Sequence, residues 1–171
     1  MKETILNIPS QLIDPFFFPD SEVRVDASHI IPDEPFFAYE ILYFNEKALS
    51  ILPWVDRELF ISIILKSWGE GQKCLKTLFK ERSKNTLHPM KKSISQFYML
   101  LYWSNSLPVQ LNSDISPINK LSIKPVNVVE RMTFIRNNPN LFHSFIQLSQ
   151  LFEEQHKQFA KSLALKRARE K

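Results

Sequence analysis

The chain has 171 residues, 22 Lys and Arg against 18 Asp and Glu, and a formal net charge of +4. A chain of this length is the size of one domain and buries roughly 70% of its unfolded surface without disulfides or metals. The lone cysteine, Cys74, excludes an intrachain disulfide and any multi-thiolate zinc site, and fits a reducing compartment such as the cytoplasm. Two glycines beside 14 phenylalanines and three tryptophans disfavour both sheet-rich turns and phosphate-cradling loops. The expected fold is therefore all-α: a single-domain bundle of five to six helices, residues 33–165, preceded by an extended Pro/Phe-rich arm, 1–32, and followed by a basic tail, 166–171.

Charge is laid out in blocks. Residues 1–60 carry 4 Lys and Arg against 11 Asp and Glu, a balance of −7, and residues 61–171 carry 18 against 7, a balance of +11. Like charges gathered on one surface repel, so this asymmetry requires either an external partner or an internal clasp between the blocks.

Pro9, Pro15, Pro19 and Pro32 deny the first segment an uninterrupted helix. The start lacks the basic and apolar stretches of a secretory signal. Phe16, Phe17 and Phe18 are too apolar to remain in water, at about 1.5 to 3 kcal/mol each, and must either cap the chain's own helices or anchor a protein partner.

A first helix is expected to open at Asp33, with Pro35 in its first turn, and to run to about Leu52. A second starts near Pro53 and is apolar on nearly every side through Leu59, Phe60, Ile61, Ile63, Ile64 and Leu65, which predicts a central position. Gly69 and Gly71 predict a break or kink around Trp68, with a third helix over Gln72–Ser83. Met90, Ile94, Phe97 and Leu101 lie on one face of a fourth helix ending near Asn105. The uncharged run Ser93–Ser113 is too polar and too short in its apolar centre to span a membrane, so no membrane insertion is expected.

Residues 107–125, with three prolines, read as a long loop. Asn127 and Glu130 resemble a capping box opening a short helix to about Asn137. The last helix begins at Asn140, with Leu141, Phe145, Leu148, Phe152, Phe159 and Leu163 on one stripe, and its packing is expected to cease near Leu165.

Two basic groups are candidates for polyanion binding. Lys73, Lys76, Lys80 and Lys84, spaced 3, 4 and 4, line one helix face and are followed by Lys91 and Lys92; Lys166, Arg167, Arg169 and Lys171 form the tail. No helix-turn-helix, zinc-finger or glycine-bearing RNA motif accompanies them, so nucleic-acid binding would be directed to the backbone. Tyr98, Tyr102 and Trp103 could stack on bases, but an apolar helix makes core the better reading.

Other constellations carry little chemistry. Glu153 and His156 have the Glu-x-x-His spacing of di-iron bundles, but no second copy exists. His29, His88 and His143 show no ligand spacing with one another or with Cys74. Glu40, Glu46, Asp56 and Glu58 read as surface charge or as counter-ions to the lysines. No catalytic residue, metal or cofactor is expected.

Pro15-Phe16-Phe17, Pro35-Phe36-Phe37, the Pro53-Trp54 step, Trp68 and the overall length resemble the YpoC family of uncharacterised proteins from Bacillus-type bacteria. The resemblance implies no activity and assigns no functional residues. The family's genes tend to lie near those for replication initiation and repair, which adds weight to a nucleic-acid or replication partner. The expected function is a non-enzymatic helical protein-interaction module, with sequence-independent nucleic-acid binding second and an enzyme built from scattered residues a remote third.

Overall fold

The N-terminal segment is not an extended arm. In the computed structural model, which describes residues 2–111 and 117–171, strands β1 (Glu3–Asn7) and β2 (Glu22–Asp26) pair antiparallel, with Glu3 opposite Asp26 and Ile5 opposite Arg24. Side chains alternate across a strand, so Leu6 and Val25 turn inward and are buried while Ile5 faces water. The fold is thus helix-rich rather than strictly all-α. The link between the strands makes one 3-10 turn at Ser10–Leu12, and Leu12 and Phe17 fix it to the core.

Helix α1 is shorter than expected, Ala38–Phe44. Asp33 does not cap it. The backbone at Ile31–Phe36 forms two small bridges, Ile31 with Glu34 and Asp33 with Phe36, around a cis Glu34–Pro35 bond. The Asp33 carboxylate instead accepts a 2.8 Å hydrogen bond from the Gln96 side chain.

Helix α2 runs unbroken from Arg57 to Lys80, straight through Gly69 and Gly71. The expected break is absent because burial outweighs propensity. Two glycines cost about 2 kcal/mol together, whereas Trp68 stacks on Phe152 at 4.0 Å and Leu75 is fully buried, each worth a comparable amount or more. Nor is α2 central: Leu59 and Ile63 face solvent, 53% and 43% exposed.

The centre belongs to α3, Leu87–Ser104, in which every residue from Ser93 to Ser104 is buried. It packs against α2 and α5, and α5 (Phe142–Arg169) packs in turn on α4 (Val128–Asn137). Asn127 precedes α4 in a left-handed conformation, φ 54°, with no side-chain cap, so the capping box does not form. A 3-10 turn at Pro117–Lys120 interrupts the long loop, and residues 112–116 of that loop lie outside the described residues.

Three helix ends share one geometry. After α1, α2 and α3, the residues Glu46, Arg82 and Ser106 take φ of 59°, 53° and 60°. In each the next amide reaches back to a carbonyl of the last turn: Lys47 to Leu42 at 3.0 Å, Ser83 to Leu78 at 2.9 Å and Leu107 to Tyr102 at 3.1 Å. These are Schellman caps, usually closed by glycine.

Candidate polyanion-binding surface

Lys73, Lys76 and Lys80 are exposed along the C-terminal half of α2. Lys84 is also exposed, but it follows the Arg82 corner and lies outside the helix that sequence spacing assigned to it. Lys91 and Lys92 are half-buried near the start of α3, where the Lys91 ammonium sits 5.2 Å from the centroid of the Phe16 ring. Among the described residues, none of these six lysines makes an ion pair.

The basic tail is not a separate segment. Lys166, Arg167 and Arg169 continue α5, which extends past Leu165 to Arg169, and Lys171 follows it. Packing does end where expected, since Leu165 is half exposed. Arg167 grips Glu58 through two 3.1 Å bonds, while Lys166, Arg169 and Lys171 stay exposed.

Three acids of residues 1–60 are ion-paired away from these lysines. Glu58 holds Arg167, Glu3 approaches Arg24 at 3.9 Å, and Asp14 forks onto Arg136 at 2.6 and 2.7 Å. Glu46 and Asp56 are exposed. Among the described residues the ion pairs between the two charge blocks are Glu58 with Arg167 and Asp14 with Arg136.

Glu40 is not surface charge. It is fully buried in α1, where its Oε2 accepts 2.8 Å from the Trp103 indole N–H and 3.1 Å from the Val109 amide, while Oε1 has no partner. Removal from water disfavours the charged form, and the carboxyl is pushed up to about 7, the two hydrogen bonds opposing the rise. This carboxyl therefore ties α1, α3 and the segment after α3 together.

A second cluster has no local sequence signal. Asp14 and Arg136, 122 residues apart, form a largely buried pair. The guanidinium also donates to the Tyr98 hydroxyl at 3.0 Å and lies 4.9, 5.6 and 5.9 Å from the Phe16, Phe17 and Tyr98 ring centroids.

Phe17 is buried and Phe16 and Phe18 are half-buried against the core, so these side chains cover the protein's own helices. Tyr98, Tyr102 and Trp103 are buried and present no stacking face to solvent. Glu153 pairs with Lys157 at 2.8 Å, His156 is exposed nearby, and among the described residues no three His, Cys, Asp or Glu gather as metal ligands would. Cys74 is exposed beside Lys73.

A four-helix packing of α2 to α5 and an N-terminal hairpin folded onto it define a helical bundle protein, whose lysine face has no ion-pair partner among the described residues. The chain belongs to the YpoC-like family, whose profile matches residues 58–167 under the description "YpoC-like protein". It is 32% identical over 119 residues to "Uncharacterized protein YpoC" of Bacillus subtilis (strain 168), an alignment covering 68% of this chain and 72% of that protein. The profile runs from the first turn of α2 to the last turn of α5 and leaves the hairpin outside. No solved structure matches the chain. Among the described residues no helix is long and apolar enough to cross a membrane.

Proposed function

We propose that the protein is a non-enzymatic, cytoplasmic helical interaction module that docks an acidic protein surface on Lys73, Lys76, Lys80 and Lys84. The observation that carries this reading is the exposure of all four lysines with, among the described residues, no carboxylate paired to them. Exposed cations without counter-ions raise the local concentration of acidic partners and speed association.

An exposed ring packed against α2 favours a protein over a nucleic acid. Phe142, 56% exposed, touches Phe79 on α2 at 5.7 Å, and Leu141 beside it is 48% exposed. Basic and apolar groups on one helix suit an amphipathic acidic segment, whereas Tyr98, Tyr102 and Trp103, the candidates for base stacking, are inside. The second reading, backbone-directed nucleic-acid binding, draws on the same lysines together with exposed Lys166, Arg169 and Lys171.

The test is a titration of the full chain with a labelled peptide alternating Glu and Leu, and separately with a labelled DNA duplex, at low and physiological salt. The peptide is expected to bind at both, and K73E/K76E/K80E to weaken it at least about tenfold. Duplex binding that is steep in salt and lost in the same variant would establish the second reading instead. Binding of neither probe, or binding indifferent to the charge reversal, overturns the assignment of function to this face.

A further inference from the structure

The turn carrying Phe16 to Phe18 separates two recesses of similar chemistry. In one, Asp14 and the rings of Phe16, Phe17 and Tyr98 hold the Arg136 guanidinium. The other is an open cavity of about 330 Å³ between this turn, the start of β2, the Asp33–Phe36 bridge and His88. Its walls include Phe17, Phe18 and Phe36, and its acids are Asp20, Glu22, Asp33 and Glu34. Among the described residues no lysine or arginine lines it, and none of these four acids makes an ion pair.

We propose that this cavity receives an arginine side chain from a partner protein, with the guanidinium against the Phe18 and Phe36 rings and facing Asp33. Asp33 is the informative member, because it is buried to 9% exposure and its hydrogen-bond partner, Gln96 Nε2 at 2.8 Å, is neutral. A carboxylate removed from water without a cation is costly, and a bound cation relieves that cost. Apolar walls alone would suit any hydrophobic group; four acids around them select a positive one.

Arginine fits better than lysine on geometry. Its planar guanidinium can lie over aromatic rings and donate to a carboxylate at once, as Arg136 does on the other side of the same turn, where Nη2 donates to both oxygens of Asp14. Glu34 and Asp20, both exposed, stand at the mouth and would meet the polar end of the side chain and the adjoining backbone. This site is independent of the lysine face, since it selects the opposite charge.

The test uses the full chain and a labelled, end-blocked pentapeptide with one central arginine between Gly and Ser, compared with the same peptide carrying citrulline, which keeps shape and loses charge. The arginine peptide is expected to bind at least about tenfold more tightly. Asp33→Asn, which retains an acceptor for Gln96, is expected to remove that preference, and the exposed triple variant D20N/E22Q/E34Q to weaken it while far-UV circular dichroism stays unchanged. K73E/K76E/K80E is expected to leave it intact, which separates this inference from the proposed function. Equal binding of the two peptides overturns the proposal, as does a preference that survives both Asp33→Asn and the triple variant. Agmatine binding as tightly as the peptide would assign the cavity to a free amine and overturn its assignment to a protein partner.

Discussion

Replacing Glu40 by glutamine should flatten the pH dependence of stability. The buried carboxyl titrates near 7 in the folded protein against an ordinary value of 4.5. A raised acid holds its proton more tightly when folded, so its contribution is fully present below about pH 4.5 and is lost as pH rises through about 7. Each pH unit of displacement corresponds to about 1.4 kcal/mol, which makes the loss about 3 kcal/mol across this range. The Glu40→Gln side chain would keep an acceptor for Trp103 and Val109 and, like the protonated acid, carry no charge. Urea unfolding followed by tryptophan fluorescence at several values between pH 4.5 and 8 gives the difference between variant and wild type directly, and other titrating groups cancel. That difference should be small at pH 4.5 and favour the variant by about 3 kcal/mol at pH 8. Parallel curves for the two proteins would refute the reasoning.

Arg136→Ala leaves the Asp14 carboxylate, 8% exposed, without its cation and should cost about 3 to 5 kcal/mol in denaturant unfolding. The double variant with Asp14→Asn should lose less than the sum of the two single changes, as expected for groups acting as a unit. Gly69→Ala should raise stability by about 1 kcal/mol, because α2 is continuous there and a β-carbon meets no atom within 4 Å. A loss at position 69 of that size in thermal unfolding would show that the helix needs its glycine.

Helical periodicity was most legible where one stripe dominates. Phe145, Leu148, Phe152 and Phe159 of α5 are buried as their spacing implies, and Met90, Ile94, Phe97 and Leu101 likewise place α3. The lysines of α2 were visible for the same reason, since a wheel separates them from Leu75. What escaped depends on residues distant in sequence. Whether Glu40 faces water is decided by Trp103 and Val109, more than 60 residues away, and Asp33 forgoes capping because Gln96 is within reach. The hairpin strands are five residues each, too short for alternation to stand out between prolines. Glycine propensity misled at α2 because a local cost of about 1 kcal/mol per residue is smaller than the burial of one aromatic ring.

The corners at Glu46, Arg82 and Ser106 have a consequence for any fragment of this protein. An L-residue in the left-handed region costs roughly 1 to 2 kcal/mol, and none of the three is a glycine that would escape the cost. These helix ends are therefore imposed by the assembled bundle and are not written into the residues beside them. A peptide containing α2 and α3 alone, deprived of α5 and of the hydrogen bond from the Thr86 hydroxyl to Asn140, has little reason to turn at Arg82. Such a piece should carry helix past that corner, so truncation would lengthen α2 where dissection into parts is usually expected to shorten a helix.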